Sequence, residues 1–479
     1  MYLRFRTILA ALIAAVAMSG PVYGAVGEAC ESVGRQPATQ ELEAMVNADA
    51  ELRDSLLRSI ELGQRINSDP ATNPVASIED YYDFVDALVT YNPQNIDTRT
   101  YKGRIRVSMD GDRFCNWNIL DLLAYSYFLV DRQISTDPRG QIQFENEKFG
   151  QWMRTLAQAW GDYLETPASA VHVPDFTSDP EFGDWYCPES PYSTYQEFFV
   201  RELCKTTFPF GSRPVEGYHD DRTVVSIGDS TSAGWWAISD SGKLITTYDG
   251  VSQGGQLIKG KLYSDVHEFI NGADDEHVLE EFGELDPALF DGGIWTHQFL
   301  NVINYHRLHV PVSGKIIYLK HLQSGVRMKS AWKAKQSADD TAYYDPRDTA
   351  DWQFGQTRMV IGIETEDYGV VVISPMGMAQ VSGIRKRDWV QEGAYAYKGW
   401  EFANFLFGGS DFVVIFQNEA DFVLTVPEEK KVPPGAGVNY MPSLQGEKYG
   451  CFGGDAGCMD EPTKNLSSPP PDVSPGKGT

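Results

Sequence analysis

The chain has 479 residues, which at ~100 to 200 residues per domain indicates two or three domains. Its formal net charge is −27 at pH 7, and 42% of its residues are hydrophobic. A surface this acidic argues against a nucleic-acid partner and against electrostatic docking onto anionic lipid, while the apolar content is that of a folded globular protein.

The first 24 residues have the features of a secretory signal peptide. A basic start, MYLRFR, precedes an apolar run from Thr7 to Met18, and small residues follow as far as Gly24. Cleavage after about Gly24 would give a secreted or periplasmic protein. A segment that is not cleaved would instead anchor the protein in a membrane, and the sequence leaves both alternatives open.

Residues 30–185 are predicted to form a mainly helical domain. Apolar residues recur at helical spacing from Gln40 to about Arg65, with charged residues between them. Further helical stretches are predicted at residues 81–91, 118–130 and 147–164.

After a linker broken by Pro, Gly, Asp and Ser, residues 192–425 are predicted to form a second domain rich in β-sheet. The tail, residues 427–479, is rich in Pro and Gly and is expected to be partly disordered. The fold class is therefore predicted as α+β. The predicted strands are β-branched or aromatic runs at residues 223–227, 244–248, 302–310, 315–320, 358–364 and 370–374.

The cysteines all lie after the predicted signal, and their even number is compatible with disulfides in an oxidising compartment. The sequence does not determine their pairing, although a local bridge from Cys451 to Cys458 would close the Gly-rich segment between them. A zinc site there is disfavoured, because Cys-x2-Cys spacing and a nearby His are both missing. The cysteines are Cys30, Cys115, Cys187, Cys204, Cys451 and Cys458.

The segment FLFGGSDFVVIF, residues 405–416, places two glycines and a serine between two strand-forming runs. Gly408 and Gly409 tolerate the positive φ angles of a tight hairpin, so the local pattern alone predicts a turn. The alternative is a functional site at Ser410, whose hydroxyl would act as a nucleophile if a base activates it.

Two other stretches hold residue types suited to catalysis. TVVSIGDS delivers Asp229 into a turn, where an Asp usually bonds its own backbone. NYHRLHVP contains His306 and His309, each of which has a structural alternative. Residues three positions apart on a strand face opposite ways, so joint metal binding by these two histidines is not expected.

Together and in this order, the motifs FFVREL, SRPV, VVSIGDS, NYHRLHVPVSG and KGWEFANFLFGGS resemble the phosphatidylserine decarboxylase family of pyruvoyl enzymes. The resemblance runs from about Tyr195 to Gln417, and its specific parts are NYHRLHVP and FGGS. Upstream, FGQW and AWGDYLETPASA resemble the helical associated domain of the branch that includes fungal tryptophan decarboxylases.

This resemblance implies that Ser410 attacks the carbonyl carbon of Gly409 and that the chain cuts itself there. Ser410 would then become an N-terminal pyruvoyl group, a covalent cofactor that does the work of pyridoxal phosphate, and the cleaved chains would stay associated. His309 matches the family's base, and Asp229 matches the carboxylate that orients it. His306 is implied to position the substrate carboxylate or to return a proton to the carbon.

Two positions depart from the family pattern. Asp411 follows Ser410 where Ser or Thr is usual, and Ile227-Gly-Asp-Ser230 replaces the usual Pro-Ala-Asp-Gly. Asp411 would bring a negative charge beside the pyruvoyl group, which would either disfavour a nearby substrate carboxylate or help proton transfer.

The implied substrate is a small molecule or lipid with an α-amino acid headgroup. Phosphatidylserine is expected first, because it is the family's main substrate, and it would require peripheral membrane contact. A free aromatic amino acid such as tryptophan is the alternative. A third alternative is a binding module that keeps the fold but is never processed, and it differs from the enzymes in remaining one chain.

Overall fold

The computed structural model of the chain describes residues 34–70, 73–93, 119–137, 140–178, 185–188, 190–208, 211–245, 247–248, 251–252, 265–272, 276–300, 304–323, 329–336, 342–349, 357–377, 383–408, 410–425 and 442–454. The predicted signal peptide lies outside these residues, and so does Gly409.

The first part of the described chain is helical, as its periodicity predicts. No helix within the described ranges combines the length and the apolar character that a membrane span requires. The helices are α1 (Pro37–Ala48), α2 (Ala50–Ile66), α3 (Ile78–Val89), α4 (Ile119–Phe128), α5 (Ile142–Glu145), α6 (Glu147–Leu164), α7 (Val173–Thr177), α8 (Tyr195–Phe199) and α9 (Val266–Asn271).

Helix α6 is the longest of these and organises the helical region. It begins at Asn146, whose side chain accepts a hydrogen bond from the Phe149 N–H and so caps the helix. Buried residues recur every four positions on one face, including Trp152 and Trp160. The two indole N–H groups donate to the carbonyls of Ala38 and Tyr91, which ties α6 to both ends of the α1–α3 region.

The second part of the chain consists mainly of β-strands. The strands are β1 (Thr223–Val225), β2 (Ser230–Ala237), β3 (Thr247–Tyr248), β4 (Val251–Ser252), β5 (His277–Phe282), β6 (Ile294–Leu300), β7 (Arg307–His309), β8 (Gly314–Gln323), β9 (Lys329–Gln336), β10 (Ala342–Thr349), β11 (Arg358–Glu364), β12 (Val370–Gly377), β13 (Ile384–Lys386), β14 (Tyr395–Ala396), β15 (Glu401–Phe405), β16 (Ser410–Phe416), β17 (Val423–Leu424), β18 (Pro442–Ser443) and β19 (Lys448–Cys451).

A nine-stranded antiparallel sheet forms the centre of this region. Its order is β14-β8-β11-β12-β16-β6-β2-β18, and β5 also pairs with β8. Smaller antiparallel sheets have the orders β13-β15-β7 and β1-β19-β17. One buried apolar cluster includes the helical region and one face of the large sheet, and a second, smaller cluster lies on the other face. The α+β class predicted from the sequence is confirmed, while the domain boundaries stay predictions.

The hairpin predicted from the local pattern at residues 405–416 is wrong. Its two runs do form strands, β15 and β16, but β15 pairs with β7 and β13 whereas β16 pairs with β6 and β12. The segment between them therefore passes from the small sheet to the large one. A local pattern could not indicate this, because both partners of β16 lie more than 30 positions away along the chain.

Part of the tail packs, which is compatible with the predicted partial disorder. Strands β18 and β19 add to two sheets, and Phe452 is fully buried. Residues 448–452 read KYGCF, and Tyr449 and Phe452 supply large apolar side chains that are buried here.

A disulfide joins Cys187, which follows the helical region, to Cys204, which precedes the first sheet. Cys451 is also disulfide-bonded, and its partner lies outside the described residues. The pairing of Cys451 with Cys458 therefore stays a prediction.

Replacing both Cys187 and Cys204 by Ser is expected to lower the free energy of unfolding by about 3 kcal/mol. The bridge closes a loop with a sequence separation of 17, and its loss increases the conformational entropy of the unfolded chain. Urea unfolding of the double variant and the wild-type protein measures the difference. Equal unfolding midpoints with equal slopes would contradict a stabilising role for this bridge.

Candidate active site

Ser410 is the first residue of β16 and is completely buried. It lies opposite Gly377 of β12 and Leu300 of β6. Because side chains alternate along a strand, Ser410 faces the same side as Phe412, which belongs to the larger core. Its hydroxyl oxygen has no hydrogen-bond partner within the part of the chain that the structure describes.

The residues before Ser410 form the crossing from the small sheet to the large one. The N–H of Phe405 donates to the carbonyl of His306 at 3.0 Å, and the N–H of Leu406 donates to the carbonyl of Gly383 at 2.8 Å. Gly408 has a φ of +148°, a backbone conformation that residues with a Cβ rarely adopt. The glycine predicted from sequence thus lies where the backbone requires one.

His306 lies just before β7 and is completely buried. Its ring stacks on Phe199 of α8, with 3.7 Å between the ring centroids. Neither ring nitrogen makes a hydrogen bond of normal geometry to a described residue. Burial and the positive charge of nearby Arg201 hold the pKa of His306 well below its ordinary value, so this imidazole is neutral at pH 7.

His309, at the end of β7, is buried and held by two hydrogen bonds. Its Nδ1 lies 2.7 Å from the carbonyl oxygen of Gly399, which can only accept, so Nδ1 carries the proton. Its Nε2 therefore accepts from the hydroxyl of Tyr305 at 3.1 Å. Burial lowers the pKa of His309 to about 4. The ring thus has the tautomer and charge that a general base needs.

Asp229 is buried, and its carboxylate is paired with Arg213. The two guanidinium nitrogens lie 2.5 and 2.8 Å from the two carboxylate oxygens, and the N–H of Gln445 adds a third hydrogen bond at 3.0 Å. None of the hydrogen bonds that the structure gives to Asp229 or His309 joins these two residues. Arg213, rather than His309, is thus the charged partner of Asp229 in this structure, and the roles that the resemblance implies for Asp229 and His309 stay predictions.

Asp229 and His309 nevertheless lie on adjacent segments. The N–H of His309 donates to the carbonyl of Ile227 at 2.8 Å. A Cβ placed on Gly228 would lie 3.5 Å from a methyl carbon of Leu308 and 3.6 Å from one of Leu300. Leu308 precedes His309, and Leu300 lies opposite Ser410. The motifs that contain Asp229 and His309 therefore meet at Gly228, and Leu300, the residue opposite Ser410, lies beside the same glycine.

Tyr305 contacts both His309 and Arg213, the partner of Asp229, and no role was predicted for it from the sequence. Its hydroxyl bonds His309, and the guanidinium of Arg213 lies over its ring, 5.5 Å from the centroid. Arg213 in turn holds Asp229. Arg213 belongs to the motif SRPV and Tyr305 to the motif NYHRLHVP, so both residues lie in motifs that the sequence singled out. The spacing of the motifs did not indicate these contacts.

Asp411 lies on the opposite face of the sheet from Ser410. Its carboxylate bonds Nε2 of His297, a residue of the neighbouring strand β6, and both side chains are buried. Burial raises the pKa of Asp411, an effect that His297 opposes. Because side chains alternate along a strand, the Asp411 carboxylate points away from the side that Ser410 faces, although the two residues are adjacent in the sequence.

The part of the chain that contains these residues is similar to known proteins. The family model for phosphatidylserine decarboxylase matches residues 195–438. A phosphatidylserine decarboxylase proenzyme 2 of Oryza sativa subsp. japonica is 25% identical over 273 residues, covering 56% of this chain but only 37% of the rice protein.

Two fungal proteins match over a larger share of their own length. Decarboxylase iboD of Amanita muscaria is 27% identical over 322 residues, which cover 60% of this chain and 82% of that protein. An L-tryptophan decarboxylase of Psilocybe cyanescens is 24% identical over 341 residues, which cover 66% of this chain and 72% of that protein.

The neutral state of His309 predicts a pH-dependent stability. Its pKa is about 4 in the folded protein and ~6.5 in the unfolded chain, so stability is fully present above pH ~6.5 and is lost as the pH falls towards 4. Between pH 7 and 5 the loss from this group is about 2 kcal/mol. Urea unfolding of Ser410→Ala protein with and without His309→Gln should show a weaker pH dependence in the His309→Gln protein.

The matched control for this measurement is His219→Gln, because His219 is exposed. It should leave the pH dependence of the Ser410→Ala protein unchanged. An identical pH dependence in the His309→Gln and His219→Gln proteins would mean that His309 is not held neutral by the fold.

Proposed function

The chain belongs to the phosphatidylserine decarboxylase family, a family of carboxy-lyases, and on that premise we propose that it is a self-processing, pyruvoyl-dependent decarboxylase. Ser410 is the proposed nucleophile and pyruvoyl precursor, and the bond from Gly409 to Ser410 is the proposed cleavage site. The proposed substrate carries an α-amino acid group.

The state of the Ser410 hydroxyl carries this proposal. The Ser410 hydroxyl has no hydrogen-bond partner among the described residues, a state that costs about 1–3 kcal/mol and that it shares with Ser374. Ser410 differs from Ser374 because it follows two glycines where the chain passes from one sheet to another. Alanine would fit the same position without the penalty. A hydroxyl without a structural partner is available to a base during the reaction, and glycines before it leave the scissile carbonyl uncovered.

The proposed cleavage balances without an oxidant or reductant. The Ser410 Oγ adds to the Gly409 carbonyl carbon and the C–N bond breaks, so an ester forms and Ser410 gains a free amine. Loss of the Ser410 Cα proton expels the Gly409 carboxylate and leaves a dehydroalanine. Water then replaces its nitrogen, which departs as ammonia. The products are a chain that ends at Gly409 and a chain that begins with a pyruvoyl group.

We assign His309 as the base for this step, because its Nε2 is unprotonated and already faces a hydroxyl donor. Asp229 then acts through Arg213 rather than on His309 directly. Arg213 packs over the ring of Tyr305, and the Tyr305 hydroxyl bonds Nε2 of His309. The ion pair between Arg213 and Asp229 would therefore fix the position of Tyr305 next to the base. Asp229 is thus a positioning residue in this proposal.

The surroundings of Ser410 fit a pyruvoyl group at that position. The group supplies an electron-accepting carbonyl for the loss of CO2. His306 is the proposed proton donor to the substrate carbon, because its neutral ring must carry a proton on one nitrogen and neither nitrogen makes a hydrogen bond of normal geometry to a described residue. The aromatic wall of Phe199 beside it would exclude water from the reacting carbon.

Phosphatidylserine and a free amino acid present the same reacting group, so both are candidate substrates. Phosphatidylserine is supported by the family model and by the rice relative. A free aromatic amino acid is supported by the match to an L-tryptophan decarboxylase, which covers 72% of that protein and 66% of this chain, more than the family model covers. The disulfide-bonded cysteines support the proposed export through residues 1–24.

Ser410→Ala is expected to abolish CO2 release from both substrates, because neither self-cleavage nor a pyruvoyl group can follow without the hydroxyl. The assay supplies carboxyl-labelled phosphatidylserine in detergent micelles and carboxyl-labelled L-tryptophan in separate reactions. Wild-type protein should release label from one of the two, and that reaction identifies the substrate class.

Ser374→Ala is the matched control. Ser374 lies in β12 beside β16, is completely buried, and has a hydroxyl without a partner among the described residues. Its variant should keep wild-type activity. CO2 release by the Ser410→Ala protein, at the wild-type rate, would refute the assignment of Ser410.

A further inference from the structure

Phe407 lies three residues before Ser410, and its completely buried ring is surrounded by other aromatic rings. The centroids of Trp160 and Tyr195 are each 5.2 Å away, and that of Phe199 is 5.3 Å away. The interplanar angles are 79°, 84° and 78°, so all three contacts are edge-to-face. This geometry is the favourable one for aromatic pairs.

The backbone of Phe407 is held as well. Its N–H donates to the side-chain oxygen of Gln196 at 3.1 Å. Gln196 is almost completely buried and lies on α8, next to two of the rings that contact Phe407. Trp160 comes from α6, in the helical region. We call Trp160, Tyr195, Gln196 and Phe199 the Phe407 clamp.

The other end of the crossing is fixed by the large sheet. Ser410 is paired on both sides, by Gly377 and Leu300. Between Phe407 and Ser410 the chain has only the two glycines, which restrict the backbone least of all residues. The conformation of the proposed scissile bond therefore depends on how firmly Phe407 is held, because the glycines themselves do not fix it.

We propose that Trp160 and Gln196 are positioning residues for self-cleavage, and that through Trp160 the helical region helps to hold the chain in the geometry that the reaction needs. This inference rests on the proposed function. Intramolecular attack gains its rate from correct alignment, and a displacement of ~1 Å can reduce a rate by ~100-fold. The helical region is then required for processing, in addition to any role in substrate binding.

This role of the clamp also explains why the Trp160 ring, which belongs to the helical region, packs against Phe407. Strands β15 and β16 keep their own pairing partners in two sheets without the clamp. Loss of the Trp160 ring would therefore free Phe407 and the glycines while the sheets stay formed. The effect on the cleavage rate should exceed the effect expected from the loss of stability alone.

The experiment measures how fast newly synthesised full-length chains are cleaved, by pulse labelling in a cell-free translation reaction followed by gel analysis. Trp160→Leu is expected to slow cleavage at least ~10-fold, because it removes the ring that faces Phe407. Trp160→Phe keeps an aromatic ring and is expected to restore cleavage to within ~3-fold of wild type.

Trp152→Leu is the matched control. Trp152 lies two turns earlier on the same helix, is equally buried, and also donates its indole N–H to a backbone carbonyl, that of Ala38. Its described ring contacts are with Tyr81 and Phe149 rather than with Phe407. The Leu variant should lose comparable stability, measured as the unfolding midpoint, and keep a cleavage rate near that of wild type.

Gln196→Met tests the clamp without altering the packing of α6, because Met has a similar shape but offers the Phe407 N–H only a weak thioether acceptor. It should also slow cleavage. Equal slowing by Trp160→Leu and Trp152→Leu, together with normal cleavage of the Gln196→Met chain, would overturn the inference. Wild-type chains that never cleave would instead refute the proposed function on which it rests.

Discussion

The site depends on one constraint of the chain path, which is that residues 406–409 join strands of two different sheets. Strand β15 belongs to a three-stranded sheet and β16 to the nine-stranded one, so this crossing is held at both ends by independent sets of hydrogen bonds. In a hairpin the two strands would pair with each other, whereas here each strand pairs with other strands, so the short Gly-Gly segment joins two ends that are positioned separately.

Burial gives the groups around this crossing their chemical character. His306 and His309 are both completely enclosed, and desolvation keeps both imidazoles neutral. For His309 the Gly399 carbonyl selects the tautomer, so the nitrogen that faces Tyr305 has the lone pair. The Arg213–Asp229 pair is also buried, but the Asp229 carboxylate accepts two hydrogen bonds from the Arg213 guanidinium and one from a backbone N–H. Burial therefore leaves the two histidines neutral, whereas Arg213 and Asp229 are held together as an ion pair.

Periodicity alone predicted much of the fold. The helix at residues 147–164 and the strand at residues 358–364 have the predicted bounds, because burial on one face or on both faces leaves a direct trace in the sequence. Contacts between different segments of the chain left no such trace in the sequence. The partners of β16 and the packing of Phe407 against Trp160 join residues far apart in the chain, and Asp229 and Arg213 are 16 residues apart. The motif resemblance implied the residues of the site but not their contacts.

The most direct test of the account is the intact mass of the purified wild-type protein under denaturing, reducing conditions. The account predicts two chains that separate between residues 409 and 410, the smaller one lighter by one ammonia than a chain that begins with serine. A single uncut chain, with Ser410 unmodified, would contradict it. The segment FLFGGSDFVVIF would then be a structural crossing between two sheets and no more.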